Sequence, residues 1–433
     1  MKAATNIQQP AQHQTLLVTI ILGTLLLGET VHAQATAPPD IIAKALPTAT
    51  PGDVLVIADG TYRDQVLEWR GKGSAERPVL VRAATPGGVI FSGQSSLLID
   101  GEHLIVEGLL FTDGFAPGKE AISISGSRNT LRHCVVASYN PPPSGSDRED
   151  KWLALRGQDH RVEHCTFYNK TSPSVTVTVW RKEGQLDRHT LYRNHFHTRP
   201  KGSTGNGFET IRIGTSDTTG GDSQCVIEGN RFFACDGEME IISVKSDNNL
   251  ISENSFVECA GTITLRHGDG STISRNVIAG KLKKETGGIR VYGARHQILE
   301  NVIIGTTGRA DGAIALMCGE QNPEPSGYQP VVGAIVRGNL LVANKGPALE
   351  LAAEFDESKR PVLPRQSVVD ANTLSGENQA TLVSGLNRPG IGVGWTRNQI
   401  FMNNQVPREF TQNRPGLISA ERVGAEWFRN RLR

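Results

Sequence analysis

The sequence predicts an all-β fold: a right-handed parallel β-helix, or solenoid, with an N-terminal capping helix. Three observations carry this expectation. An alternating apolar run, then Asn or Cys, then a large apolar residue recurs as TLRHCVV, RVEHCTF, TLYRNHF, VIEGNRF, LISENSF, TISRNVI, ILENVII and IVRGNLL. The anchors Cys134, Cys165, Asn194, Asn230, Asn254, Asn276, Asn301 and Asn339 are spaced by as little as 22 to 25 residues, and the longer gaps fit the same unit with inserted loops. A unit this short holds several strands of period-2 alternation but no helix of about ten residues between them. One such coil cannot bury its own apolar face, so coils must stack into a continuous core with parallel ladders about 4.8 Å apart. A propeller would need even blades of about 40 residues, which these uneven units do not supply.

The elements follow in order. Residues 16–28 (LLVTIILGTLLLG) are an apolar run of 13 behind Lys2, and Val31-His32-Ala33 puts small residues, Val31 and Ala33, at the −3 and −1 positions of a leader cleavage site after Ala33. The run is short for a membrane span and predicts a signal peptide over 1–33, hence export to the periplasm or beyond; an uncleaved anchor is the competing reading. Residues 34–433 then form a single β-helix domain. DIIAKAL, from Asp40, reads as a short amphipathic helix with Asp40 as its N-cap, covering the first coil. The solenoid is expected from about Val54 to Asn372, with Asn230, Asn254, Asn276 and Asn301 in one stack. From about residue 389 the repeat is lost, and this segment is expected to cover the far end or wrap the side. The six cysteines include no CxxC pair and read mainly as small buried apolar residues, with disulfides left open.

Charge narrows the function classes. The chain carries 45 basic and 44 acidic side chains. A balance this close argues against broad nucleic-acid or membrane-surface binding. A polyanionic partner would require basic residues gathered locally.

Such a gathering lies between Asn206 and Tyr292. Aligning NGFETIRIG, EMEIISVKS, GTITLRHG and GGIRVYG puts Ile211/Ile213, Ile242/Val244, Ile263/Leu265 and Ile289/Val291 inward. Alternation then turns one column outward as Arg212, Ser243, Thr264 and Arg290, and the next as Gly214, Lys245, Arg266 and Tyr292. Lys245 and Arg266 are 21 residues apart and should be stacked neighbours. Asn206 falls near Glu238, with Glu240 two residues on. This oxygen-only set suits a hard cation such as calcium. Both glutamates share parity with the inward Ile242 and Val244, so the chain must bend near Glu240 to turn them out. Alone, two glutamates near a turn are ordinary solvated groups, Lys245 an ordinary surface lysine and His267 a hydrogen-bonding support. Together on one face they suggest a site, because neighbouring carboxylates repel unless a cation separates them.

At these residues the sequence resembles polysaccharide lyase family 6, the family of alginate lyases and chondroitinase B. The resemblance rests on Asn206-Gly207 before Ile211–Gly214, on Glu238 and Glu240 followed by Lys245, and on Leu265-Arg266-His267-Gly268. It implies cleavage of an acidic, uronate-containing polysaccharide by calcium-assisted β-elimination, with Ca2+ on Asn206, Glu238 and Glu240. It further implies Lys245 as the base, Arg266 at the departing O4, His267 as an orienting group, and Arg212, Arg290 and Tyr292 as sugar or carboxylate contacts. NGFETIRIGTS is closer to the alginate-cleaving members than to those acting on dermatan sulfate. A β-helix glycoside hydrolase would need a clustered carboxylate pair acting as acid and base, and a non-catalytic glycan-binding β-helix would not need Lys245, Arg266 and the glutamates in one groove.

Overall fold

Each turn of the chain is built from three short strands joined by tight corners, as in Glu240–Lys245, Leu250–Ser252 and Ser255–Val257. The computed structural model describes residues 36–118, 120–142, 149–308, 312–377 and 382–432. The leader read at residues 1–33 lies outside these. Among the described residues, equivalent strands of successive coils pair in parallel into three sheets of 12, 14 and 13 strands. The first runs from Val66–Lys72 to Val383–Ser384, the second from Thr36–Ala37 to Val393–Thr396, and the third from Gly60–Arg63 to Gln399–Met402. This is the right-handed parallel β-helix the repeat predicts.

The corner between the second and third sheets explains the recurring Asn. Asn254 Oδ1 accepts from Asn230 N at 2.9 Å and Asn230 Nδ2 at 3.0 Å, while its Nδ2 donates to Ile227 O at 2.8 Å and Asn276 Oδ1 at 2.9 Å. The same ladder joins Asn194, Asn230, Asn254, Asn276, Asn301, Asn339, Asn372 and Asn398. The residue before the Asn is left-handed at corner after corner: Arg193 (φ 51°), Glu253 (φ 54°), Arg275 (φ 55°) and Glu300 (φ 55°). That conformation costs a non-glycine residue about 1–2 kcal/mol, and the ladder's buried hydrogen bonds offset it.

A second ladder, which the repeat did not reveal, lines the corner between the first and second sheets. Asn129 N donates to His160 Nδ1 at 3.2 Å, His160 N to His189 Nδ1 at 3.1 Å, and Ser271 N to His296 Nδ1 at 3.1 Å. Leu104 N and Cys225 N meet the Oδ1 atoms of Asn129 and Asn249 in the same way. Inside the solenoid Phe167, Phe196, Phe232 and Phe256 stack with centroids 5.1, 4.8 and 4.4 Å apart. All six cysteines are buried free thiols, so no disulfide staples the coils.

The ends differ from expectation in two details. The capping helix is Pro39–Ala45 with Pro38, not Asp40, at the N-cap; Asp40 lies in the first turn and pairs with Lys44 at 3.6 Å. Proline's fixed φ suits the helix start, which displaces the cap by two residues. Ile42 and Leu46 bury into the end of the core. At the other end, the coils do not stop near Asn372 or residue 389. Val393–Thr396 and Gln399–Met402 add another turn, and Asn398 extends the ladder. The remaining chain does wrap the side, as a strap running back along the solenoid. Arg414 Nη1 donates to Gly338 O, Ile418 N to Ser255 Oγ at 2.8 Å, Gly424 N to Arg193 O at 2.8 Å, Ala425 N to Thr166 Oγ1 at 3.0 Å, and Trp427 Nε1 to His133 O at 2.9 Å. No helix among the described residues is long and apolar enough to cross a membrane.

Candidate active site

The outer face of the first sheet carries the site. Ile211, Ile242, Ile263 and Ile289 are paired in register, and so are Arg212, Ser243, Thr264 and Arg290, as the alternation requires. Two irregularities then decide where the functional groups point. Between Glu240 and Ile242 the register shifts against Thr262 and Ile263, leaving Ile241 as an extra residue. This β-bulge is the bend that parity demanded: it frees Glu240 from the inward set. A second shift pairs Lys245 with His267 rather than with Arg266. Arg266 is therefore not the direct stacked neighbour of Lys245. It is the extra residue of the bulge, and His267 shares the level of Lys245.

Three carboxylates gather beside this column. Oxygens of Glu209, Glu238 and Glu240 lie within 4.8 Å of one another. Burial, then the charges of Glu209 and Glu240, push the Glu238 carboxyl up to about 8, against the pull of the Phe208 N–H and Lys245. Burial foremost also raises Glu240; the Ser243 hydroxyl opposes this, the Glu209 charge adds to it, and Arg290 and Lys245 oppose it. The buried Oε2 of Glu209 has no hydrogen-bond partner among the described residues. Buried, mutually repelling, incompletely satisfied carboxylates fit a hard divalent cation, which would neutralise them and fill the missing contact. Glu209 was not anticipated, yet it stands two residues before Ile211 as Glu240 stands before Ile242. Asn206 is exposed in the preceding loop, where its carbonyl accepts from Thr204 Oγ1 at 2.8 Å.

Lys245 is partly exposed, with Nζ 3.3 Å from Ser216 Oγ. Arg266 lies over Tyr328 at 4.1 Å and Tyr292 at 5.4 Å from the ring centroids, and its Nη1 donates to Gly327 O at 3.2 Å. His267 is buried, and burial first, then Arg266 and Lys245, lower its pKa to about 3. It is thus neutral, with Nδ1 3.4 Å from Arg266 Nη1. Arg212 is near Glu209 at 3.9 Å.

Two expected sugar contacts are placed differently. Tyr292 is fully buried, packed against Tyr328 with its hydroxyl donating to Glu354 Oε2 at 3.2 Å. Arg290 is only 5% exposed, and donates to the Tyr292 hydroxyl at 3.0 Å and Glu354 Oε1 at 3.2 Å. Tyr292 and Tyr328 thus lie under Arg266, and Arg290 holds the Tyr292 hydroxyl from within rather than meeting solvent.

Fold and site together define a parallel β-helix with a cation-ready carboxylate cluster beside lysine and arginine on one open sheet face. The chain belongs to the chondroitinase B family, whose model matches residues 39–379, and so to the polysaccharide lyase family 6 that the sequence resembles. Among solved structures it is similar to the PL6 family alginate lyase AlyGC (31% identity, TM-score 0.83, covering 90% of this chain and 58% of that one). It is also similar to a mannuronic acid specific polysaccharide family 6 lyase from human gut microbiota (27%, 0.80, 91% and 96%). A third is the PL6 family polysaccharide lyase Pedsa3628 from Pseudopedobacter saltans (25%, 0.80, 90% and 98%). The chain thus spans 58% of the length of AlyGC. No curated protein matches it.

Proposed function

We propose that the protein is a polysaccharide lyase that cleaves alginate by calcium-assisted β-elimination. The observation that carries this reading is the meeting of Lys245, Arg266, His267 and three carboxylates on one bulged face. The family supports the reaction class, and two of the similar structures are named for alginate or mannuronic acid. Glu238, Glu240 and Glu209, with Asn206 from the adjoining loop, are the residues that would hold calcium. When bound, the ion would engage the substrate's C6 carboxylate and spread the charge that develops as the C5 proton leaves.

The chain's own groups supply the rest. The Lys245 amine accepts the C5 proton, the C4–C5 double bond forms, and the C4–O4 bond breaks. Arg266 stabilises the departing O4, which takes its proton from water, because arginine holds its own too tightly. Neutral His267 accepts from Arg266 and fixes its direction without adding charge. Residues 1–33 are proposed as an export leader, on the apolar run behind Lys2 and the small residues at the cleavage site, and the reaction would then take place outside the cytoplasm.

Elimination leaves a 4,5-unsaturated uronate that absorbs in the ultraviolet, whereas hydrolysis leaves a saturated end. The purified protein is offered alginate, polymannuronate, polyguluronate, dermatan sulfate and polygalacturonate. Absorbing oligomers from alginate support the reading. Absorbing product from dermatan sulfate alone would move the substrate to that polymer, and saturated product alone would sink the lyase assignment.

A further inference from the structure

The catalytic face continues towards the N-terminal coils. Leu155 pairs with Val179, Val179 with Ile213, and Ile213 with Val244. The residues that follow are therefore level, and form a column of Arg156, Trp180, Gly214 and Lys245. Gly214 has no side chain and is buried, with the Arg181 side chain packed over it where a Cβ would meet Arg181 Cδ at 3.1 Å, so it adds no bulky group of its own between the indole and Lys245. Trp180 is partly exposed, and its ring is held in place: Nε1 donates to Glu120 Oε1 at 2.9 Å, and Arg156 clamps the same carboxylate with two contacts of 2.6 Å. Cations surround it. Lys151 Nζ, Arg212 and Arg156 lie 5.4, 5.7 and 5.8 Å from the ring centroid. Arg156 and Arg212 reach solvent, with side chains 41% and 18% exposed.

A fixed aromatic plane flanked by guanidinium groups matches a uronate sugar: the apolar C–H face of a pyranose packs on the ring while its carboxylate meets the cations. Two coils separate Trp180 from Lys245, about 10 Å, a distance a 1,4-linked pyranose chain covers in a few residues. We propose that Trp180, with Arg156 and Arg212, forms an accessory subsite for a uronate residue of the same polymer, beyond the sugars at the reacting bond. This rests on the lyase reading for its substrate class, and it makes affinity depend on chain length.

Two measurements test it. Steady-state elimination is compared on long and on the shortest cleavable oligouronates. Trp180→Ala should raise KM on long chains by about ten-fold with kcat unchanged, the mark of lost uniform binding. It should leave the shortest substrates unaffected, and Trp180→Phe should retain most of the affinity. An equal effect on both lengths, or none on either, overturns the proposal. The second measurement does not need turnover. Long oligouronates are titrated into Lys245→Ala and Lys245→Ala/Trp180→Phe proteins, reading intrinsic fluorescence. Quenching that disappears with Trp180 supports the subsite, and identical quenching overturns it. Failure of the wild type to form unsaturated product would instead overturn the reaction, leaving the fluorescence result to decide the subsite.

Discussion

Lys245 and Arg266 occupy neighbouring coils but are not interchangeable. Lys245→Ala should lower kcat on alginate by at least about 10²-fold, the typical worth of a general base, with folding intact because the side chain is partly exposed. Lys245→Arg should not restore it, since arginine keeps its proton near neutral pH; steady-state rates on both variants check this. Glu209 makes a separate prediction. If it helps hold the cation, Glu209→Gln should weaken apparent calcium affinity by roughly 10–100-fold, and calcium titration of activity should recover much of the rate. A rate loss that calcium does not restore would make Glu209 a partner of Arg212 instead. His160 sets a pH dependence of folding. Burial lowers its pKa to about 4, against the pull of the Arg156 carbonyl and Asp159. The neutral ring is required, because Nδ1 accepts the Asn129 N–H. The unfolded chain binds this proton as pH falls below about 6.5 while the folded one does not, so stability drops through that window and levels off below about 4. His160 alone should cost about 2 kcal/mol by pH 5. His160→Asn keeps an acceptor, as Asn129 does for Leu104, and should flatten the slope in urea melts at pH 7 and pH 5.

Strands and corners were legible in the sequence to different degrees. The Asn corner was visible because one residue type does one job in coil after coil, and the inward isoleucines fixed the register of the first sheet. The histidine-bearing corner was hidden because Asn129, His160, His189, Asn249 and Ser271, whose Oγ accepts from Asn249 N at 3.1 Å, perform one role with different chemistry. Any side chain offering an acceptor serves there, so the pattern has no single letter. The bulge at Ile241 was inferable, since Glu240 otherwise points into the core. The bulge at Arg266 was not, because LRHG allows either Arg266 or His267 to align with Lys245. Asn398 carries the familiar signal in VGWTRNQIF, 26 residues after Asn372, so the last coil was legible in the sequence and was missed. The Asn ladder makes its own prediction. Asn254→Ala removes four hydrogen bonds and leaves buried partners unsatisfied. It should destabilise the protein on the order of 3 kcal/mol, read as a lowered denaturation midpoint, whereas Glu253→Gly should be tolerated because φ is already 54°.

At the scale of the whole molecule, a solenoid is bound together by nearest neighbours. Each coil hydrogen-bonds to the one before and the one after, so local loosening need not be felt several coils away. The C-terminal strap breaks that rule. Its contacts at His133, Thr166, Arg193, Ser255 and Gly338 reach coils far apart in the stack. Releasing it uncovers distant coils at once, and no coil beneath it can open without straining its hold on the others. The strap thereby converts a one-dimensional array, prone to unravel from an end, into a unit that melts cooperatively. Deleting the residues after Met402 should leave the first sheet and its face intact while broadening the thermal transition or splitting it into stages. A truncated protein with a single transition as sharp as the full chain's would show that the coils alone supply the cooperativity.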